Sequence, residues 1–201
     1  MSSNNISLSV TLNWILNIKN SVLQISLLMI TGVFLMGCQT ISQYFPTPAL
    51  PPTPTILPQG CPPECENIDL SGKDLSMTKL AGSNFNGANL DRTNLSRVNL
   101  GGANLESVHL LNADLRFSNL AGAWLRYSDL RGADLTGADL RGADLLKTNL
   151  GGANFSRADI SGANLLMSNL SGIKLRGAKY DNTTKWPPDF DPVAAGAVIK
   201  E

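Results

Sequence analysis

The sequence predicts an all-β solenoid over residues 64–180, a square coil with one corner every five residues. Three observations carry that expectation. From Leu70 to Tyr180 every fifth residue is large and apolar, with no insertion or deletion. Of these 23 central positions 19 are Leu, and the others are Phe85, Phe155, Ile160 and Tyr180. Each centre also has fixed company: Ala, Ser or Thr stands two places before it in 18 of 23 cases, and Asp or Asn one place before it in 18 as well. Finally, all 11 prolines fall outside residues 64–186. A segment that donates its backbone N–H groups to a continuous ladder excludes proline for that reason.

Neither regular element accommodates this period. Five residues advance about 500° around an α-helix, a net turn of about 140°, which scatters the leucines over every side. In a straight strand side chains alternate with period two, so an odd spacing sends successive leucines to opposite faces. A chain that turns at each repeat points the central residue, and the small residue two before it, inward every time. Four corners then close a coil of 20 residues. Gly occupies 12 of the 22 positions two places after a centre, where a corner needs a backbone tolerant of positive φ. The Asp and Asn side chains are suited to bonding backbone groups at these corners, as short polar side chains do in turns.

The stretch Ala133–Leu145, A-D-L-T-G-A-D-L-R-G-A-D-L, resembles the consensus of the pentapeptide-repeat family, A-(D/N)-L-x-x. The resemblance implies a right-handed quadrilateral parallel β-helix, here about 5–6 coils stacked at a strand spacing of about 4.8 Å.

Ahead of the solenoid, residues 1–38 are mostly apolar and carry one charged side chain, Lys19. The run Val22–Met36 followed by Gly37 and Cys38 suits a signal peptide. Leu35-Met36-Gly37-Cys38 resembles the bacterial lipobox, which implies cleavage before Cys38 and lipidation of its thiol. The expected product is a membrane-anchored lipoprotein of the cell envelope, facing the periplasm or the exterior. An uncleaved transmembrane anchor is the alternative, because the run is near the lower limit for a span; a soluble protein with a misassigned start is a third reading. Residues 39–63 hold eight prolines among Thr, Gln and Ser, the composition of an extended, semi-rigid spacer.

Both ends of a solenoid need caps. Cys65 lies five residues before Leu70, in register with the central positions, and Cys61 lies four residues earlier. Two cysteines without a neighbouring His do not make a four-ligand zinc site. In an exported protein a Cys61–Cys65 disulfide is the favoured use, with a pair of free thiols as the alternative. After Tyr180 the repeat dissolves into residues 181–201, read as a C-terminal cap and tail in which Trp186 and Phe190 are bulky enough to cover the last ring.

The sequence offers no catalytic constellation. His109 stands at a regular outward position, and no Ser-His-Asp set, phosphate loop or metal cluster is present, so neither an enzyme nor a cofactor or metal is expected. Formal net charge is zero, which gives no basic footprint for nucleic acid. Two function classes remain: an exported scaffold or protein-binding module, and the specialty of some family members that mimic duplex DNA and protect or inhibit DNA gyrase. Mimicry needs a strongly acidic surface, whereas Asp129, Asp134 and Asp139 are interspersed with Arg126, Arg131 and Arg141. One face departs from the pattern that folding alone requires. Around centres Phe85, Leu105, Leu125, Leu145 and Leu165 the outward residues include Trp124, Arg126, Tyr127, Leu146, Lys147, Leu166 and Met167. Exposed Trp, Tyr and Arg beside aliphatic residues are the kind of surface that binds a protein partner or a second copy of the chain.

Overall fold

The computed structural model describes residues 55–200; Cys38, the apolar segment 1–38 and the spacer up to residue 54 lie outside the described residues. The repeat region winds as a right-handed quadrilateral parallel β-helix. Parallel one-residue bridges join each outward position before a centre to the residue 20 further on, from Asp69↔Asn89 to Asp159↔Lys179. All 23 central residues are buried except Leu170 and Tyr180, which are half-buried at the C-terminal end. The small residues two before them fill the remaining interior. Four of the hydroxylic ones, Thr93, Ser128, Thr148 and Ser168, donate to the central carbonyl 23 residues back, and Thr78 and Ser118 to the one three residues back.

A single repeat shows why the five positions differ. Around Leu130, the Ser128 N–H closes the corner onto Leu125 O (3.3 Å), and the Asp129 N–H donates to Val108 O of the coil before (3.0 Å). The Leu130 and Gly132 N–H groups donate to Asn149 O (2.8 Å) and Gly151 O (3.0 Å) of the coil after. Arg131 N–H has no backbone partner and donates instead to Asp129 Oδ1 (3.2 Å). The Asp or Asn therefore completes the hydrogen bonding of each repeat, which is why it recurs. Where His109 stands in that place, the Leu111 N–H turns to Asp91 Oδ1 at 2.8 Å. At Asp114, Asp129 and Asp139 the guanidinium two residues on also bonds the carboxylate, and holds its pKa below the ordinary value.

The positions two after the centre are the left-handed corners. All of them except Met77 have φ between 55° and 70°, whether or not they are Gly. For a residue with a Cβ this conformation costs about 1–2 kcal/mol. At Gly137 the surroundings add a second constraint, since a Cβ there would meet the Phe117 ring at 2.7 Å, and the Arg97 guanidinium lies over that ring at 5.3 Å from its centre.

Both ends extend the coil beyond the expected bounds. Glu64 bridges Asn84, Asn84 N–H donates to Pro63 O (2.8 Å), and Cys61 and Cys65 are buried and bridged with Cα atoms 4.9 Å apart. Residues 61–63, assigned to the spacer by their prolines, thus belong to the first coil. Pro63 is tolerated because it occupies the position whose N–H only closes a local corner. The tail likewise does not stop at Tyr180. It winds one further turn, so that β1 (Lys179–Tyr180) pairs in parallel with β2 (Val198–Ile199). Trp186 and Phe190 pack on the core from this turn, with Trp186 edge-on to Tyr180 at 5.7 Å and stacked on Phe190 at 5.2 Å.

Candidate protein-binding face

The bridges place Trp124 between Asn104 below and Asp144 above, on the face whose centres are Phe85, Leu105, Leu125, Leu145 and Leu165. Trp124 is 59% exposed, Tyr127 53% and Met167 65%, while Leu166 is at the margin of exposure and Leu146 is half-buried. The two bases are engaged within the face. Arg126 Nε donates to Asp144 Oδ2 at 2.6 Å, and Lys147 Nζ lies 5.4 Å from the centre of the Tyr127 ring. The expected apolar patch is therefore present but divided, with cations laid between its aromatic and aliphatic members.

Two local rules are broken on this face. Trp124 replaces the Asp or Asn that would receive the Arg126 N–H. The corner column holds Ser107, Tyr127, Lys147 and Met167 on four successive coils, all in the left-handed region that Gly occupies most easily. The neighbouring corner column is Gly throughout, from Gly82 to Gly162 at every twentieth residue. Gly122 and Gly142 of that column, with Glu106, Arg126 and Asp144, line a shallow cavity of about 480 Å³ beside Trp124. Glu106, Asp144 and the two glycines were not named as site residues by sequence reasoning; the unbroken glycine column at 20-residue spacing was the signal that marks Gly122 and Gly142, whereas Glu106 and Asp144 are brought there by the stacking of coils.

Of the other sequence-predicted sites, Cys38 lies outside the described residues, and Cys61 and Cys65 sit together at the N-terminal cap, away from this face. His109 is exposed.

The profile described as Pentapeptide repeats matches in eight copies, over residues 65–97, 74–112, 93–131, 113–150 and 138–177, which is more than half of the chain. No curated protein matches. Among solved structures the chain is similar to a pentapeptide repeat protein from Nostoc PCC 7120, at 39% identity over 53% of this chain and 84% of the other, with a TM-score of 0.37. It is similar to Rfr23 from the cyanobacterium Cyanothece 51142, at 31% identity over 61% of this chain and 87% of that one, TM-score 0.35. A pentapeptide repeat protein of the Arabidopsis thaliana thylakoid lumen is 32% identical over 50% of this chain and 66% of its own, TM-score 0.40.

Proposed function

This chain belongs to the pentapeptide-repeat family, and from that premise we propose that it is a non-catalytic binding module whose Trp124 face holds a protein partner. The observation that carries the reading is the coincidence of departures on one face. Folding asks for Asp or Asn at position 124 and favours Gly at positions 127, 147 and 167; the chain has Trp124, Tyr127, Lys147 and Met167 there instead. Large exposed side chains kept at conformationally costly positions mark a surface used for something other than folding. The reading is non-catalytic because the interior of the described coils is filled by leucine and its small neighbours, and catalysis needs a pocket with converging groups.

The test is a quadruple variant, Trp124→Asn, Tyr127→Ser, Leu146→Arg and Leu166→Ser, compared with the wild type by crosslinking in native membranes. The variant is expected to keep the β-rich circular dichroism of the wild type and to lose the crosslinked species. Unchanged crosslinking would move the binding surface elsewhere on the solenoid.

The proposal includes export and lipid anchoring through Cys38, on the strength of Leu35-Met36-Gly37-Cys38 and the proline-rich spacer that follows. Fatty-acid labelling of the wild type and complete loss of label and of signal cleavage in Cys38→Ser are the expected results. An unlabelled wild type would refute the anchor without touching the binding face.

A further inference from the structure

The Trp124 face has a polarity that runs along the solenoid axis. The bridges continue from Trp124 down through Asn104 and Asn84 to Glu64, and up through Asp144 and Asn164 to Lys185. Trp124 is thus the midpoint of a seven-residue column with a carboxylate at one end and an ammonium at the other. The flanking corner repeats the order. Below Trp124 the face carries Glu64, Glu66 and Glu106 and, among the described residues, no base. Above it, once Arg126 and Asp144 are paired with each other, Lys147 and Lys185 remain, together with Asp181, whose carboxylate receives the Gly162 N–H and the hydroxyls of Thr183 and Thr184.

From this order we infer that the face pairs with a second copy of the same chain, antiparallel, about a two-fold axis that crosses the face at Trp124. The inference rests on the reading of this face as an interaction surface and names its occupant. A two-fold axis across the face inverts the coil order. It sets Glu64 of each copy opposite Lys185 of the other, and Glu106 opposite the Leu146–Lys147 corner, so that every contact occurs twice, as a self-complementary interface demands. A parallel side-by-side arrangement would oppose like charges, Glu64 to Glu64 and Lys185 to Lys185, and like charges in juxtaposition are unfavourable. Stacking end to end would leave the face bare. At the axis the two indoles meet, and the cavity beside Trp124 has room to receive the partner's ring because Gly122 and Gly142 keep its floor at backbone level.

The arrangement makes a distinctive demand on charge reversal. In a homodimer of Glu64→Lys both end pairs become Lys facing Lys; in one of Lys185→Glu both become Glu facing Glu. A heterodimer of the two variants restores two opposite-charge pairs. Both residues are exposed, so neither change disturbs the coil. The experiment uses the full chain purified in detergent, with association measured by sedimentation and native mass spectrometry. The wild type is expected to dimerise, each single reversal to weaken the dimer about tenfold, and an equimolar mixture of the two to recover wild-type affinity as a heterodimer. Trp124→Asn should weaken association in every combination. A monomeric wild type, a dimer indifferent to both reversals, or a mixture that fails to recover would each overturn the inference. If the purified chain is monomeric while native membranes still yield a crosslinked species lost in the quadruple face variant, the face remains a binding site and only the self-pairing falls.

Discussion

Leu140→Asp is expected to abolish folding of the solenoid, whereas Arg141→Ala, one residue on, should cost no more than about 1 kcal/mol. Leu140 is fully buried. It lies in a column of central residues between Leu120 and Ile160, and its N–H donates to Asp159 O at 2.7 Å. A carboxylate in that column is enclosed by the apolar core. Ionised, it carries a desolvation cost that no domain of this size withstands; protonated, it still leaves polar atoms unpaired at about 2–7 kcal/mol. To this is added the lost packing of a leucine, about 2–5 kcal/mol by analogy with truncation to Ala. The sum is comparable with the whole stability of an ordinary domain, about 5–15 kcal/mol. Arg141 is outward, and its guanidinium bonds Asp139 at 2.8 and 2.7 Å on an exposed surface. Ala is the suitable control because Asp at 141 would add repulsion from Asp139 and Asp159. Far-ultraviolet circular dichroism and denaturant titration decide the matter, and equal tolerance of both changes would refute the inward and outward assignment of the five-residue register.

Trp186→Ala is expected to destabilise the solenoid by about 3 kcal/mol, and Trp186→Phe to change it by less than about 1 kcal/mol. Trp186 is held in the last turn between Tyr180 and Phe190, and packs on the end of the core. Truncation uncovers the final ring and deprives both aromatic neighbours of their contact. The cost falls at the lower end of the range for aromatic truncations because the residue is only half-buried. Its indole N–H, however, is buried without an acceptor among the described residues. Phe keeps most of the apolar surface and removes this unpaired donor, so the two effects largely offset each other. Denaturation midpoints of the two variants test the assignment. A Phe variant as damaged as the Ala variant would mean that the N–H, rather than the ring, is what the end of the coil needs.

The interior and the surface of this protein differ in how far they were legible. The inward column from Leu70 to Leu165, the hydrogen-bonding Asp and Asn, and the left-handed corners are all written in spacings of one, two and five residues. These are local requirements that the coil imposes afresh at each repeat. Because the requirements recur at every repeat, the pattern states the fold many times over, and single exceptions such as Trp124 are carried by the coils on either side. Trp124, Tyr127, Lys147 and Met167 were visible as exceptions to the same pattern.

The tertiary structure alone decided what no repeat specifies. Beyond Tyr180 the pairing slips: Asn164 bridges Lys185, one residue later than the 20-residue interval, and Lys179 pairs with Val198, one residue earlier. The Gly162 N–H, which the regular pattern would pass to the following coil, is received there by Asp181 Oδ1 (3.0 Å) and Thr184 Oγ1 (3.1 Å). These side chains make the slip possible, and the slip brings Lys185 onto the Trp124 column. The pairing of Arg126 with Asp144, 18 residues away, and the laying of Phe117 over Gly137 depend in the same way on coils being stacked. Residues distant in the chain become neighbours only when the ladder brings each coil within a strand spacing of the next, about 4.8 Å. The five-residue period determines which side chains face out; the stacking determines which of them meet, and so the order of charge along the face.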